Sequence, residues 1–101
     1  MVTARVHQDD LMLVQVCKAL ANPVRIQIMR YVWHHPGCIG TEILVNLPSG
    51  APQAQSTLSQ HLHVLREAEL LDAVNDGPAI CYFVNVDRMN DLQGLIADFG
   101  V

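Results

Sequence analysis

The chain has 101 residues, which is enough for one domain with a single core. Half of its residues are hydrophobic, only 16% are charged and the net charge is −4, whereas nucleic-acid-binding proteins usually carry a basic surplus. No apolar run approaches the roughly 20 residues that span a bilayer, and residues 1–10 show no basic-then-apolar signal pattern. We therefore expect a cytoplasmic protein without a membrane partner.

The first predicted helix begins at Asp9 and Asp10, because acidic residues suit the N-terminal end of a helix. Residues 1–8 are predicted to be a disordered arm. Apolar residues then follow on two neighbouring stripes of the helix, which indicates burial on two sides: Leu11, Val14 and Cys17, and Leu13, Val16 and Leu20. A chain this small buries only about 60–70% of its unfolded surface, so the second stripe and the high apolar content predict a subunit interface.

Two shorter helices are predicted next. Asn22-Pro23 favours a helix start, since Asn is a common N-cap and Pro suits the first helical position. That helix ends at His34-His35-Pro36-Gly37, where Pro and Gly break the apolar pattern. A third helix is predicted from about Thr41 to Asn46, and a loop rich in Pro and Gly follows it.

The stretch from Gln55 to Leu71 divides into two faces when it is drawn as a helix. An apolar stripe is formed by Leu58, Leu62 and Leu65. The opposite side carries short hydroxyl, amide and imidazole groups together with one acid, and Arg66 lies at its edge: Ser56, Ser59, Gln60, His63 and Glu67. Such groups are suited to hydrogen-bonding base edges in the major groove of DNA, and an ordinary solvated helix face is the alternative.

After Leu71 the apolar period changes from helix to strand. Residues 72–75 and 80–86 are predicted to form two short strands around a turn at residues 75–78. Asp87 is predicted to cap a last helix over residues 87–101, which carries one apolar stripe. The predicted fold is therefore mainly α with a small β-hairpin, a single winged helix-turn-helix domain over residues 1–101 in the order α-α-α-α-β-β-α.

Three segments resemble the ArsR family of bacterial dimeric repressors. Residues 18–25, Lys-Ala-Leu-Ala-Asn-Pro-Val-Arg, look like the family's Leu-(Ala/Ser)-(Asp/Asn/His)-Pro-x-Arg signature. Residues 55–68 are similar to its recognition helix, and Asp76-Gly77 with Tyr82 match its wing. The resemblance covers roughly Cys17 to Val86.

This resemblance implies a homodimer that pairs through its first and last helices. It also implies binding to a near-palindromic double-stranded DNA operator and release when an inducer binds. The DNA-facing positions that it carries over, to which the sequence adds Arg66 at the helix edge, are Gln55, Ser56, Ser59, Gln60 and His63. His61 also matches a family position, but its helical angle places it at the edge of the core.

The sequence departs from the family pattern in four places. The loop before the recognition helix is about four residues longer than usual. The serine that normally caps this helix is Ala54, which suggests an earlier helix start at Pro52. The wing tip has no Lys or Arg. The Cys-x-Cys of the thiolate metal sensors is absent, because Gly40 stands two residues after Cys38, and the last helix has no His.

A metal site at a known family position is therefore not expected, and no cofactor is predicted. One other cluster could hold a zinc-like ion, because imidazole and thiolate are zinc ligands: His34, His35 and Cys38, with Cys17 from the first helix. We favour the alternative that these residues end a helix and pack a small thiol. A redox role for Cys17 with Cys38 or Cys81 has no support from a thiol-activating neighbour.

Catalysis is disfavoured, since no carboxylate is placed to orient His63 towards Ser59. The sequence thus predicts a non-enzymatic, sequence-specific DNA-binding regulator, a homodimeric repressor released by an unidentified signal. The competing hypothesis is a winged-helix dimerisation module that does not bind DNA. The acidic balance and the uncharged wing favour the module, and the polar helix face opposes it.

Overall fold

The computed structural model describes the backbone of residues 3–48 and 55–100, and the side chains of residues 9–48 and 55–100. Five helices and three strands lie in these ranges, namely α1 (Thr3–Leu20), α2 (Pro23–His34), β1 (Cys38–Ile39), α3 (Gly40–Asn46), α4 (Gln55–Glu67), β2 (Leu71–Asp76), β3 (Ala79–Val84) and α5 (Val86–Ala97). The predicted fold class, a mainly helical winged helix-turn-helix with a small hairpin, is confirmed.

The core lies where α1, α2, α3 and α4 meet the sheet. Its fully buried side chains are all aliphatic and come from helices and from the segment after α4: Val16, Ile28, Val32, Ile43, Leu58, Leu65 and Leu70. The apolar periodicity of each helix selects these residues, because one stripe per helix faces inward. No polar or charged residue of the described chain is buried, so the core itself is formed by the packing of apolar side chains.

Two helix starts differ from the prediction. α1 begins at Thr3, so from Thr3 onward the predicted arm over residues 1–8 is helical. The segment between Thr3 and Asp9 has no Gly or Pro to stop the helix. α5 is capped by Asn85, whose Oδ1 accepts a hydrogen bond from Arg88 N at 3.1 Å, and not by Asp87, which lies in the first turn. The predicted cap of α2 is confirmed, since Asn22 Oδ1 accepts from Val24 N at 2.9 Å.

The end of α4 explains why the predicted stretch to Leu71 is not all helix. Glu69 has a φ of 62°, its N–H donates to Arg66 O, and Leu70 N donates to Leu65 O, both at 2.9 Å. This pattern is a Schellman ending, which reverses the chain and buries the residue that follows. Leu71 is therefore the first residue of β2 and packs in the core.

The sheet has three antiparallel strands in the order β1-β3-β2. β1 was not predicted, because two residues carry no readable period. Cys38 pairs with Tyr82, and Ala73 pairs with Tyr82 from the other side, so the buried Tyr82 lies at the centre of the sheet. We call β2, β3 and their Gly77-Pro78 turn the wing. Its turn uses a φ of 61° at Gly77, which a residue without a Cβ adopts at little cost.

Candidate nucleic-acid interface

The helix α4 presents the two faces that its sequence predicted. The three leucines of the apolar stripe are at most 5% exposed and anchor α4 against α1, α2 and α3. The opposite side is exposed and carries Ser56, Ser59, Gln60, His63 and Glu67, and Gln55 is exposed at the first position of the helix. We call Gln55, Ser56, Ser59, Gln60 and His63 the polar face. Because the leucines fix the rotation of the helix, these five side chains are held outward as a set.

The N-terminal end of the polar face borders a cleft beside the wing. Gln55 and Ser59 line this cleft from α4, and Pro78 and Ala79 line it from the wing. The cleft encloses about 440 Å³. A Cβ built on Gly40 would lie 3.7 Å from Gln55 Nε2, so α3 begins close to the first residue of α4. The structure therefore brings the polar face and the wing tip to one side of the molecule.

His61 lies half-buried beside Arg25, and its Nδ1 is 3.4 Å from Arg25 Nη1. Burial lowers the pKa of His61 below its usual 6.5, and the neighbouring Arg25 charge lowers it further. The same guanidinium donates from Nε to Ala19 O at 2.6 Å and from Nη2 to Lys18 O at 3.3 Å. His61 thus belongs to a junction between α1, α2 and α4, at the core edge where its helical angle placed it.

The C-terminal end of the polar face carries the remaining candidates. His63 Nε2 lies 3.6 Å from Glu67 Oε1, and both side chains are 70% exposed. An exposed pair of this kind contributes little to stability and competes weakly with another ligand. Arg66 is exposed, and no ion pair among the side chains of residues 9–48 and 55–100 engages it. The imidazole and the guanidinium therefore remain accessible to a partner.

The wing has no basic side chain, since residues 71–84 contain neither Lys nor Arg. Asp76 stands beside the turn and pairs with Ala79 across the hairpin. A wing that contacts DNA backbone through cations would need them at this tip. The tip carries Asp76 instead, so it cannot attract a phosphate electrostatically.

The four residues considered for a metal ion are not brought together. Within the described side chains, no group of three or more His, Cys, Asp or Glu residues could hold an ion. His34 Nδ1 lies 2.8 Å from Arg30 O and His35 Nδ1 lies 2.9 Å from Tyr31 O, so both imidazoles serve the last carbonyls of α2. Cys38 is buried, and Cys17 is exposed on α1.

The thiols of Cys38 and Cys81 are also badly placed to pair. Cys38 stands opposite Tyr82 and Cys81 stands opposite Ile39, so consecutive pleats point the two thiols to opposite faces of the sheet. Burial raises the pKa of the Cys38 thiol, and the nearby Glu42 carboxylate raises it further. A protonated buried thiol is a poor nucleophile and a poor metal ligand. Packing is therefore the role that Cys38 fits.

Sequence reasoning missed Arg88, which ties α5 to the end of α4. Its side chain is 13% exposed and lies 3.6 Å from Glu69 Oε2. Its Nε donates to Ala68 O at 3.0 Å. A lone Arg in the first turn of a helix gives no signal of such a contact. The residues of the wing and of the start of α3 that line the cleft were missed for the same reason, because only folding brings them to α4.

The faces predicted for dimerisation carry exposed apolar side chains. Leu11 and Val14 on α1 are 55% and 48% exposed, and Ile96 and Phe99 on and after α5 are 45% and 71% exposed. The two helices contact each other within one chain. The chain by itself leaves these side chains in water, and the homodimer stays a prediction. Within the described residues, no helix is both long enough and apolar enough to cross a membrane.

Comparison with known proteins points to transcriptional regulators. The family model described as penicillinase repressor matches residues 23–99. An uncharacterised HTH-type transcriptional regulator of Methanocaldococcus jannaschii is 33% identical over 75 residues, which are 74% of this chain and 18% of that protein. The chain therefore spans under a fifth of the length of this curated relative.

Solved structures show the same fold. An ArsR-like transcriptional regulator from Rhodococcus sp. RHA1 superposes with a TM-score of 0.76 at 20% identity, over 89% of this chain and 80% of that one. NolR from Sinorhizobium fredii superposes with a TM-score of 0.68 at 25% identity, over 94% and 90% of the two chains. The predicted resemblance to ArsR-family regulators is confirmed.

Proposed function

Since the chain belongs to the penicillinase repressor family, we propose that it is a DNA-binding transcriptional regulator. It acts as a homodimer in the cytoplasm and represses transcription from a near-palindromic operator until a signal releases it. The sequence relative and the Rhodococcus fold neighbour are both named as transcriptional regulators. This supports a regulatory and non-enzymatic role. α4 enters the major groove in this proposal, and the wing lies over the adjacent backbone.

The observation that carries the proposal is the exposed polar face of α4, held outward by three buried leucines. Amides and hydroxyls at these positions can hydrogen-bond base edges, and a Gln side chain can pair with adenine in two places. The proposed base-contacting residues are Gln55, Ser56, Ser59, Gln60 and His63. Arg66 at the edge of the face contacts a phosphate.

The acidic charge sets the character of this binding. Of the six basic residues of the chain, Arg25 and Arg88 are already engaged with backbone carbonyl groups. Each neutralised phosphate contributes to affinity and to its salt dependence, so one subunit offers few such contacts. A dimer doubles them. Operator binding therefore depends more on base contacts, and less on salt, than binding by a basic winged helix.

The acidic wing favours a second candidate, a dimerisation module that does not bind DNA. Asp76 beside the turn would repel a phosphate, and the wing offers no cation to offset it. A module that does not bind DNA leaves the exposed hydrogen-bonding side chains of the polar face without a function. We therefore prefer the regulator.

A mobility-shift assay on the DNA upstream of the protein's own gene separates the two candidates. The expected result is a discrete shift at low salt that excess unlabelled upstream DNA removes and a scrambled sequence of equal composition does not. Sedimentation of the same sample confirms that the protein is dimeric. A folded dimer that shifts neither DNA would establish the interaction module and refute the regulator.

A further inference from the structure

A pocket of about 320 Å³ lies between the last turns of α2, the end of β3 and α5. Its wall is mostly apolar: Met29 and Trp33 from α2, Val84 from the end of β3, and Val86 and Met89 from α5. Trp33 is 57% exposed, an unusual position for the largest apolar side chain. The volume is at the lower end of the range for small-molecule sites, about 300–1,000 Å³.

The charge of this pocket is opposite to that of the whole chain. The chain has ten acidic and six basic residues, yet the pocket is lined by Arg30 and His34 and by no Asp or Glu. Among the described side chains, no ion pair occupies the Arg30 guanidinium. His34 directs its Nδ1 to Arg30 O at 2.8 Å, so Arg30 is the group available to an anion. Asn90 and Gln93 add neutral amide groups.

We propose that this pocket binds a small carboxylic acid with an apolar aromatic or aliphatic body. The body packs against Trp33, Met29 and Met89, since aromatic and thioether side chains adapt well to such ligands. The carboxylate pairs with Arg30, whose planar guanidinium matches its two oxygens. A neutral ligand of the same shape loses this pairing, so charge determines the specificity.

The pocket is connected to α4 through α5. The effect of its ligand on operator binding rests on the proposed function. Its ligand contacts α5 through Met89, Asn90 and Gln93. Arg88, at the start of the same helix, donates to Ala68 O directly after α4. A ligand that binds better to one placement of α5 than to another shifts the population of α4 positions accordingly. The carboxylate is thereby a candidate for the signal that changes operator affinity.

The fluorescence of Trp33 reports occupancy directly, because it is the only tryptophan of the chain. The full-length protein is titrated, without DNA, with benzoate and hexanoate and with the neutral benzamide and hexanamide, up to ~10 mM, a range that captures millimolar affinities. We expect a saturable change in Trp33 emission with a carboxylate and a weaker one with its amide. Circular dichroism confirms that each variant is folded.

Two variants test the assignment of the charge. Arg30→Gln is expected to weaken carboxylate binding about tenfold to a hundredfold, the size of a charge-assisted contact, without changing amide binding. Val86→Glu places an acid on the exposed edge of the pocket and is expected to act in the same direction. Lys18→Gln removes one positive charge outside the pocket and is the matched control.

Three results overturn the proposal. The first is no saturable emission change with any carboxylate, and the second is equal carboxylate affinity in Arg30→Gln and the unchanged protein. The third is an emission that shifts with protein concentration and not with carboxylate, which would mean that a second copy covers the pocket. The titration contains no DNA, so its failure is distinct from a failure of operator binding in the mobility-shift assay.

Discussion

Arg25 and Arg88 hold backbone carbonyl groups instead of facing solvent. Arg25 joins the end of α1 to α2 and His61, and Arg88 joins the start of α5 to the segment after α4. Both side chains therefore fix the placement of α4, which carries the polar face. In the proposed binding to DNA, the cations left for a phosphate are therefore fewer than the composition suggests, and the hydrogen-bonding side chains of α4 are expected to contribute correspondingly more.

Gln60 and Arg66 are expected to contribute to operator binding in different ways. Gln60→Ala should weaken operator binding by about 1–3 kcal/mol, because it removes a contact that discriminates between bases. Binding of this variant to scrambled DNA should be nearly unchanged. Arg66→Gln should weaken both DNAs and reduce the salt slope by about one, as expected for a phosphate contact. Titrations of operator and scrambled DNA over a salt series measure both the affinities and the salt slopes. An equal loss of affinity for the two DNAs in Gln60→Ala would contradict a base contact by Gln60.

His61 is expected to make stability depend on pH. Burial and the Arg25 charge lower its pKa in the folded chain, whereas the unfolded chain keeps the usual value of about 6.5. As the pH falls below that value towards the lowered folded pKa, the unfolded chain takes up a proton that the folded chain does not. The free energy of unfolding should therefore decrease as the pH is lowered through this window. Above the window, His61 should make no contribution to the pH dependence of stability.

Urea unfolding at a series of pH values measures this dependence. His61→Gln should flatten the slope by part of the one-proton limit of ~1.4 kcal/mol per pH unit. The amide oxygen can still accept from Arg25. His63→Gln removes an exposed imidazole from the same helix and is the control. An unchanged slope in His61→Gln, or an equal effect of both variants, would show that the slope arises elsewhere.

The helix α4 and the wing are expected to act together in the proposed binding to DNA, although they are separate elements of the chain. The cleft between them is lined by Gln55 and Ser59 on one side and by Pro78 and Ala79 on the other. α4 supplies hydrogen-bonding groups, and the wing supplies no cation and carries Asp76 beside its turn. The wing is thus the element where a change of charge should alter DNA affinity most.

Asp76→Lys is expected to strengthen DNA binding. The variant removes an anion and adds a cation beside the wing tip, so affinity should rise and the salt slope should steepen by about one per added phosphate contact. Asp98→Lys makes the same change of charge at the C-terminal end of α5 and is the matched control. Equal effects of the two variants would show that net charge, and not the wing, governs the association.

The whole molecule leaves apolar surface exposed on α1 and α5 after its own core is complete. In a single chain, four large apolar side chains on or directly after these helices remain exposed to water: Leu11, Val14, Ile96 and Phe99. The composition and the family resemblance both favour a second copy of the chain as the partner that covers them. A two-fold interface of these helices places two copies of α4 at a fixed spacing, as a palindromic operator requires.

Phe99→Asp is therefore expected to shift the protein towards monomer. Burying the introduced carboxylate in an apolar interface would cost desolvation energy, and apolar neighbours offer no hydrogen bond or ion pair to offset it. Sedimentation or light scattering over a range of concentrations measures the shift. Val45→Asp changes a side chain that is 79% exposed on α3 and should leave the oligomeric state unchanged. A Phe99→Asp protein that remains fully dimeric would exclude this interface.

The sequence by itself determined the helices, the hairpin and the two faces of α4. Leucines at helical spacing, Asn22-Pro23 and the change of period after Leu71 are local signals that depend on the neighbouring residues alone. The tertiary structure decided the pairing of Cys38 with Tyr82, the contacts of Arg25 and Arg88, and the pocket beside Trp33. All three depend on residues distant in the chain, which the apolar periodicity does not record, because their contacts exist only after the elements have packed.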